Sequence, residues 1–115
     1  GIPLENIYVD PCVFPISTSS EAGTFVLDAI SWIHAQYPGV HSICGASNVS
    51  FGLPMRKILN ATFLAMLIAR GLDSAIIDPC NALTRACVLA AEALAGHDDF
   101  CTSYIGAFRA GQLEV

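Results

Sequence analysis

Three polar side chains in this sequence, Asp10, Asn48 and Arg56, stand where apolar runs give way to loops or helices. A carboxylate such as Asp10 accepts two hydrogen bonds from a flat amidine-like group. An amide such as Asn48 has one acceptor and two donors for the edge of a heterocycle, and a guanidinium binds carboxylates or phosphates. Each also has a structural interpretation, because Asp10 can form a turn with Pro11, Asn48 can cap its own turn, and Arg56 can simply be solvated.

Three short apolar runs, each followed by a segment with helical periodicity, must position these side chains. The runs end near Asp10, Gly45 and Asp78, which are 35 and 33 residues apart, the length of one strand and one helix. The sequence therefore predicts an α/β fold of three consecutive βα units with parallel strands, followed by a C-terminal helix. Such a series either closes as a (β/α)8 barrel or stays open as a doubly wound sheet. In both, ligands bind at the carboxyl ends of the strands. The polar residues that fall there are Asp10, Ser47, Asn48, Ser50 and Arg56.

Local signals predict where the helices start and stop. Pro38 and Gly39 end the first helix, Pro54 belongs to the first turn of the second, and Gly71 is its left-handed cap. Further predicted N-caps are the serine-rich residues 17–20 for the first helix, Asn81 for the third, and Asp98 or Asp99 for a fourth helix over about residues 100–108.

The composition is unusually apolar for one domain. Of the 115 residues, 54% are hydrophobic and 13% charged, and the formal net charge of -5 argues against a nucleic-acid backbone as partner. No apolar run reaches the roughly 20 residues of a membrane span, and no secretory leader opens the chain, so we expect a cytoplasmic protein. A closed barrel needs roughly 250 residues. We therefore expect this apolar surface to be covered by a missing part of the polypeptide or by another copy in a homo-oligomer.

The cysteines and histidines do not predict a metal site. The five cysteines include no C-x-x-C pair, and Cys12, Cys44 and Cys80 have no histidine at ligand spacing, so we interpret them as reduced thiols. His34, His41 and His97 lie away from the carboxyl ends of the strands. We expect these histidines to be structural or exposed, without a partner that would make one a base or a ligand.

Two segments resemble a known family. The stretch GASNVSFGLPMRKILNATFLAMLIARGLDSAIIDP, with its S-N-V-S-x-G-x-P-x-R-x-x-L-N motif, resembles the methyltetrahydrofolate:corrinoid methyltransferases. These are pterin-binding (β/α)8 barrel enzymes that include the folate module of cobalamin-dependent methionine synthase. The run IYVDPCVFPIS is similar to the Asp-containing strand of that family. The resemblance implies that residues 1–115 are one partial pterin-binding TIM-barrel domain, the last three βα units of eight.

The resemblance also implies functional roles. Asp10 would bind the polar edge of the pterin, and Asn48 would act catalytically by hydrogen-bonding near nitrogen 5. Gly45, Ser47 and Arg56 would line the same pocket. The implied reaction moves a methyl group between 5-methyltetrahydrofolate and the cobalt of a corrinoid carried by a partner protein, as part of one-carbon metabolism. Because nitrogen 5 changes its charge during transfer, an amide that can rotate would stabilise both states.

Two alternatives remain open from the sequence. One is a dihydropteroate synthase-like pterin enzyme, which shares the barrel and the pterin pocket but resembles these motifs less. The other is a non-catalytic, self-associating piece of a barrel. The resemblance covers three of eight strands, so we expect the isolated 115-residue chain to be inactive.

Overall fold

The chain forms three parallel strands that alternate with helices. A computed structural model describes residues 1–113. The elements in chain order are β1 (Tyr8–Val9), α1 (Ala22–Gln36), β2 (His41–Cys44), α2 (Arg56–Ala69), β3 (Ser74–Ala75), α3 (Ala82–Leu94) and α4 (Thr102–Arg109), with short 3-10 turns at Leu4–Asn6, Ala46–Ser50 and Asp99–Cys101. This order confirms the predicted three βα units followed by a further helix.

The strands form one open sheet in the order β1-β2-β3. Tyr8 pairs with His41 and Val9 with Ser42 between β1 and β2, while Ile43 pairs with Ser74 between β2 and β3, both in parallel. Each strand therefore ends at the same edge of the sheet as its neighbours. An open sheet of three parallel strands is consistent with part of a TIM barrel.

Several helix boundaries follow the predicted caps. Asn81 precedes α3 in an extended conformation, and its side chain accepts a hydrogen bond from the Thr84 backbone N–H. Asp98 caps α4 by accepting hydrogen bonds from the Ser103 and Tyr104 backbone N–H groups, although α4 begins at Thr102 after a 3-10 turn. Gly71 has φ of +107° after α2, as a left-handed cap requires.

Two predicted helix starts are wrong. Pro54 does not lie in the first turn of α2, because the chain first passes through Met55 in the left-handed conformation and the helix begins at Arg56. The serine-rich residues 17–20 do not cap α1, whose N-cap position is Glu21 without a side-chain hydrogen bond. In both places an intervening turn, built from ordinary residues, delays the helix.

The core lies between one face of the sheet and the helices. Its fully buried side chains include Val26 and Ile30 of α1, Cys44 of β2 and Leu67 of α2. The alternation along β2 shows which face is covered, because Ser42 and Cys44 are buried while His41 and Ile43 are only partly so. The helices therefore pack against one face of the sheet.

The opposite face of the sheet and the outer helix surfaces expose large apolar side chains. Tyr8 of β1 is 56% exposed and Ile76, just after β3, is 64% exposed. Phe25 and Trp32 of α1 are also more than half exposed, as is Phe108 of α4. The expected excess of uncovered apolar surface is thus present. Among the described residues, no helix has both the length and the apolar character needed to cross a membrane.

Candidate functional site

The candidate site begins beyond the carboxyl ends of β1 and β3, where two Asp-Pro-Cys segments make the same turn. Asp10 directly follows β1, and Asp78 lies three residues after the end of β3. The Asp10 Oδ1 atom accepts a hydrogen bond of 2.9 Å from the Cys12 N–H, and Asp78 Oδ1 accepts one of 2.9 Å from the Cys80 N–H. The structural interpretation of Asp10 as a turn former is therefore correct. It uses one carboxylate oxygen, and we find no hydrogen bond from residues 1–113 to the other, Oδ2, of either residue.

The charge of Asp10 acts on the end of β2. Cys44 is fully buried beneath the helices. Burial, reinforced by the negative charge of Asp10, raises the pKa of the Cys44 thiol to about 11. Cys44 is therefore an inert thiol at neutral pH, and the Asp10 carboxylate lies close enough to the end of β2 to influence it.

The chain after β2 forms the 3-10 turn Ala46–Ser50, in which buried and exposed residues are sharply divided. Ala46, Val49 and Ser50 are buried, whereas Ser47 and Asn48 are exposed. The Phe51 N–H donates to the Asn48 carbonyl at 3.2 Å. We find no hydrogen bond from the Asn48 side chain to any residue in the described range 1–113, so it does not cap its own turn and its donors and acceptor are free.

Gly45, at the end of β2, has open space around it. A Cβ atom placed on Gly45 would meet no atom within 4 Å. Its φ of -87° is accessible to other residues, so its conformation alone does not require glycine. Packing within this chain therefore does not explain a glycine at this position.

Arg56 lies at the start of α2 and reaches back to the turn. Its Nε–H donates to Ser50 Oγ at 2.9 Å, and its Nη2–H donates to the Ser47 carbonyl at 2.9 Å. Ser50 Oγ also lies 2.5 Å from Asn60 Oδ1. The interpretation of Arg56 as a merely solvated residue is therefore wrong, since its guanidinium is committed to the loop that carries Asn48.

A cavity of about 250 Å³ opens beside this loop, between the turn and the start of α3. Its polar lining residues are Ser47, Asn60, Asp78, Asn81 and Thr84. The structure thus brings Ser47 together with polar residues that we did not predict as site residues. Asp78 could have been found from the repeated Asp-Pro-Cys segment, and Asn60 from the last position of the motif.

The thiols and histidines do not form a metal centre in the described range. Within residues 1–113, no three His, Cys, Asp or Glu side chains come close enough together to hold an ion. We expected the histidines to be structural or exposed and to stand without a partner, but each of them has a hydrogen-bond partner in the structure. His41 Nδ1 lies 2.7 Å from Asp73 Oδ2, and His97 Nδ1 lies 2.7 Å from Glu92 Oε2.

His34 joins the same cluster as His41. His34 Nε2 lies 2.8 Å from Ser42 Oγ, which donates to Asp73 Oδ1 at 2.8 Å. Because His41 and Ser42 begin β2 and Asp73 directly precedes β3, this cluster stands at the amino ends of the strands. It is therefore at the opposite edge of the sheet from Asp10 and Asn48, as we expected for His41.

The chain is similar in sequence to known proteins. The chain is 38% identical over 108 residues to the methylcorrinoid:tetrahydrofolate methyltransferase of Eubacterium limosum, a match that covers 94% of this chain. It is 37% and 36% identical over 83 residues, or 67% of the chain, to the methionine synthases of Mycobacterium leprae and Mycobacterium tuberculosis. No protein-family model matches the chain.

These relatives are much longer than the chain. The match covers 40% of the Eubacterium limosum methyltransferase and 7% of each methionine synthase. The chain therefore corresponds to a segment of such enzymes.

Proposed function

The chain is homologous to methylcorrinoid:tetrahydrofolate methyltransferases and, over part of its length, to methionine synthases, and we propose that it is a segment of an enzyme with this activity. The enzyme moves a methyl group between 5-methyltetrahydrofolate and the cobalt of a corrinoid held by a partner protein. Residues 1–115 supply part of its pterin-binding barrel, and the remaining strands cover the exposed face of the sheet. The observation that carries the proposal is the ordered turn at the end of β2, which exposes the Asn48 side chain.

We assign the ligand contacts to residues at the carboxyl ends of the strands. Asp10 has one carboxylate oxygen occupied by its turn, and the other accepts hydrogen bonds from the amino-pyrimidine edge of the pterin. Ser47 contributes polar contacts beside Asn48. The open space at Gly45 admits the flat ring close to the backbone, which explains a glycine that the packing of this chain does not require.

Asn48 acts on the nitrogen that carries the methyl group. In the demethylation direction the bond between nitrogen 5 and the methyl carbon breaks, its electron pair stays on nitrogen 5, and that nitrogen takes up a proton. A reduced corrinoid held by the partner protein would supply the electron pair for the new bond to the methyl carbon. An amide accepts a hydrogen bond from protonated nitrogen 5 through Oδ1 and donates one to the neutral nitrogen through Nδ2. Rotation of the free Asn48 side chain therefore stabilises both the protonated and the neutral nitrogen 5 without a change in the charge of the amide.

The test uses a hybrid barrel in which this chain replaces the matching segment of the Eubacterium limosum methyltransferase. Transfer is followed by the absorbance change of a corrinoid protein supplied with 5-methyltetrahydrofolate. We expect transfer by the hybrid and a loss of about 10²- to 10³-fold in kcat for Asn48→Ala, the usual cost of removing one preorganised hydrogen-bonding group. Gln36→Ala, a change to an exposed residue at the end of α1, is the control and should leave the rate unchanged.

Two outcomes would contradict the proposal. A folded hybrid that transfers no methyl group, while the parent Eubacterium limosum enzyme does, would contradict the activity. A hybrid that is active but insensitive to Asn48→Ala would contradict only the role of Asn48.

A further inference from the structure

The first residue of the serine-rich run, Ser17, does not cap α1 but bonds to another loop. Its hydroxyl donates to the Phe51 carbonyl at 2.8 Å, across 34 residues of sequence. We propose that Ser17 is a positioning residue, which joins the β1–α1 loop (residues 10–21) to the β2–α2 loop (residues 45–55) and so fixes the separation of Asp10 and Asn48. The catalytic consequence rests on the proposed function, whereas the contact between the two loops does not.

A second hydrogen bond joins the same two loops. The N–H of Ile16, the residue before Ser17, donates to the Val49 carbonyl at 3.0 Å. Val49 is buried, and Ile16 packs against the core cluster that contains Val49. The contact between the loops therefore has a buried part at Val49 and an exposed part at Ser17. Two successive residues of the β1–α1 loop are bonded to the β2–α2 loop.

Both hydrogen bonds act on the backbone beside Asn48. Phe51 accepts the bond from Ser17 through its carbonyl, and its own N–H donates to the Asn48 carbonyl at 3.2 Å. Val49, which accepts the bond from Ile16, is the residue directly after Asn48. The backbone of Asn48 therefore cannot shift relative to residues 16–17 unless these bonds lengthen or break.

The β1–α1 loop has little freedom to absorb such a shift. Asp10 Oδ1 accepts a hydrogen bond from the Cys12 N–H, and two of the five residues between Asp10 and Ile16 are prolines, whose φ is fixed. The Pro15 carbonyl accepts hydrogen bonds from the N–H and the hydroxyl of Thr18. Cys12 has φ of 61°, an unfavourable conformation that persists where the surrounding contacts impose it. A short and restrained path therefore connects the Asn48 backbone to Asp10.

A fixed separation matters because Asp10 and Asn48 have different tasks in the proposed reaction. Asp10 binds the amino-pyrimidine edge of the pterin, whereas Asn48 acts at nitrogen 5 of the neighbouring ring. Because the pterin is rigid, both contacts form together only when the two loops are correctly spaced. Loosened loops would still let Asp10 bind the pterin but would let Asn48 miss nitrogen 5. Loss of the Ser17 hydroxyl should therefore slow methyl transfer more than it weakens binding.

The first measurement uses the chain alone and reports the loop contact at Ile16. We expect Ser17→Ala to raise amide hydrogen exchange of the Ile16 N–H by about three- to tenfold, the usual effect of losing one hydrogen bond. Ser17→Thr keeps the hydroxyl and should retain the wild-type exchange rate. Ser19→Ala is the matched control, because Ser19 is exposed and we find no hydrogen bond from its side chain to residues 1–113. Unchanged exchange at Ile16 in Ser17→Ala would overturn the inference, whether or not the chain binds folate.

The second measurement separates positioning from ligand binding in the hybrid barrel. We expect Ser17→Ala to lower kcat by about three- to tenfold while the Kd for tetrahydrofolate changes less than about twofold. Ser17→Thr and Ser19→Ala should behave like the unsubstituted hybrid. In an Asn48→Ala background, Ser17→Ala should have little further effect, because Ser17 acts through Asn48.

Two results in the hybrid would overturn the catalytic role of Ser17. One is an unchanged kcat in Ser17→Ala, and the other is an equal loss of kcat with and without the Asn48 amide. An inactive hybrid without substitutions would count against the proposed function, and exchange at Ile16 would still decide whether Ser17 joins the two loops.

Discussion

The cluster around Asp73 at the amino ends of the strands should be a major source of stability in this chain. The carboxylate of Asp73 accepts three hydrogen bonds, from the Ser42 N–H at 3.0 Å, the Ser42 hydroxyl at 2.8 Å and His41 Nδ1 at 2.7 Å. Ser42 is fully buried, so its N–H and hydroxyl cannot turn to water if the carboxylate is removed. His34 completes the cluster, since its Nε2 atom lies 2.8 Å from the Ser42 Oγ atom.

Replacing Asp73 therefore leaves buried donors without acceptors. One unsatisfied buried group costs about 1–3 kcal/mol, and the Ser42 hydroxyl can recover part of its loss by rotation, so we expect Asp73→Ala to lower the free energy of unfolding by about 2–4 kcal/mol. Asp73→Asn keeps one carbonyl acceptor for Ser42 and should cost less. The control is Asp28→Ala, which removes an exposed carboxylate paired with Arg70 and should cost less than about 1 kcal/mol.

The assay is urea unfolding of the chain followed by far-ultraviolet circular dichroism at several pH values. Burial raises the pKa of Asp73, but the hydrogen bonds from Ser42 and His41, with the nearby His34, outweigh burial and hold this pKa below its ordinary value. A lowered pKa in the folded state means that the stabilisation is complete above the unfolded value of about 3.9 and is lost as the pH falls through the folded value. The advantage of wild type over Asp73→Asn should thus be constant near pH 5 and shrink below about pH 4.

Two results would refute this reasoning. If Asp73→Ala costs no more than Asp28→Ala, the three hydrogen bonds do not contribute as the geometry indicates. If the difference between wild type and Asp73→Asn grows as the pH falls below about 4, the sign of the pKa shift is wrong.

Two further predictions concern thiol reactivity and the uncovered surface. At pH 8, iodoacetamide should modify exposed Cys12 and Cys80 readily, and Cys44 in the folded chain at least about 100-fold more slowly, because Cys44 is buried and its pKa is about 11. Peptide mass spectrometry measures the rate at each cysteine, and equal rates would contradict the burial of Cys44. The isolated chain should self-associate at micromolar concentration in analytical sedimentation, because apolar side chains such as Phe25 and Trp32 are exposed. Trp32→Lys should weaken this association. A chain that stays monomeric at all concentrations would contradict the prediction.

The sequence predicted those parts of the fold that depend on local signals. The strand ends near Asp10 and Gly45 were predictable because a proline or a glycine follows an apolar run. Asn81 was predictable as an N-cap because asparagine favours that position, and its side chain accepts a hydrogen bond from the backbone N–H three residues ahead. The start of α2 was missed because left-handed Met55, which carries no glycine-like signal, separates Pro54 from the helix. A turn of this kind follows from the contacts that it makes, and not from residue preference.

The partners of the polar side chains were harder to predict than the elements. Asp73 meets His41 and Ser42 across 32 and 31 residues of sequence, on neighbouring parts of the sheet, and no spacing rule connects them. Within the site, residue types indicated that Asp10 and Asn48 stand at the strand ends, but not that Arg56 bonds to the loop. A guanidinium has the same appearance in a sequence whether it faces solvent, a ligand or a carbonyl group.

The sequence separations between the site residues distinguish the local turn around Asn48 from the ligand contacts. Ser47, Ser50, Arg56 and Asn60 lie within one short stretch, so the hydrogen bonds that join them are local and form together with α2. The ligand contacts are different, because Asp10 stands on another strand and the exposed face of the sheet offers no opposite wall within residues 1–113. We therefore expect the turn to be ordered in the isolated chain. Tight folate binding, in contrast, should require the strands that complete the barrel.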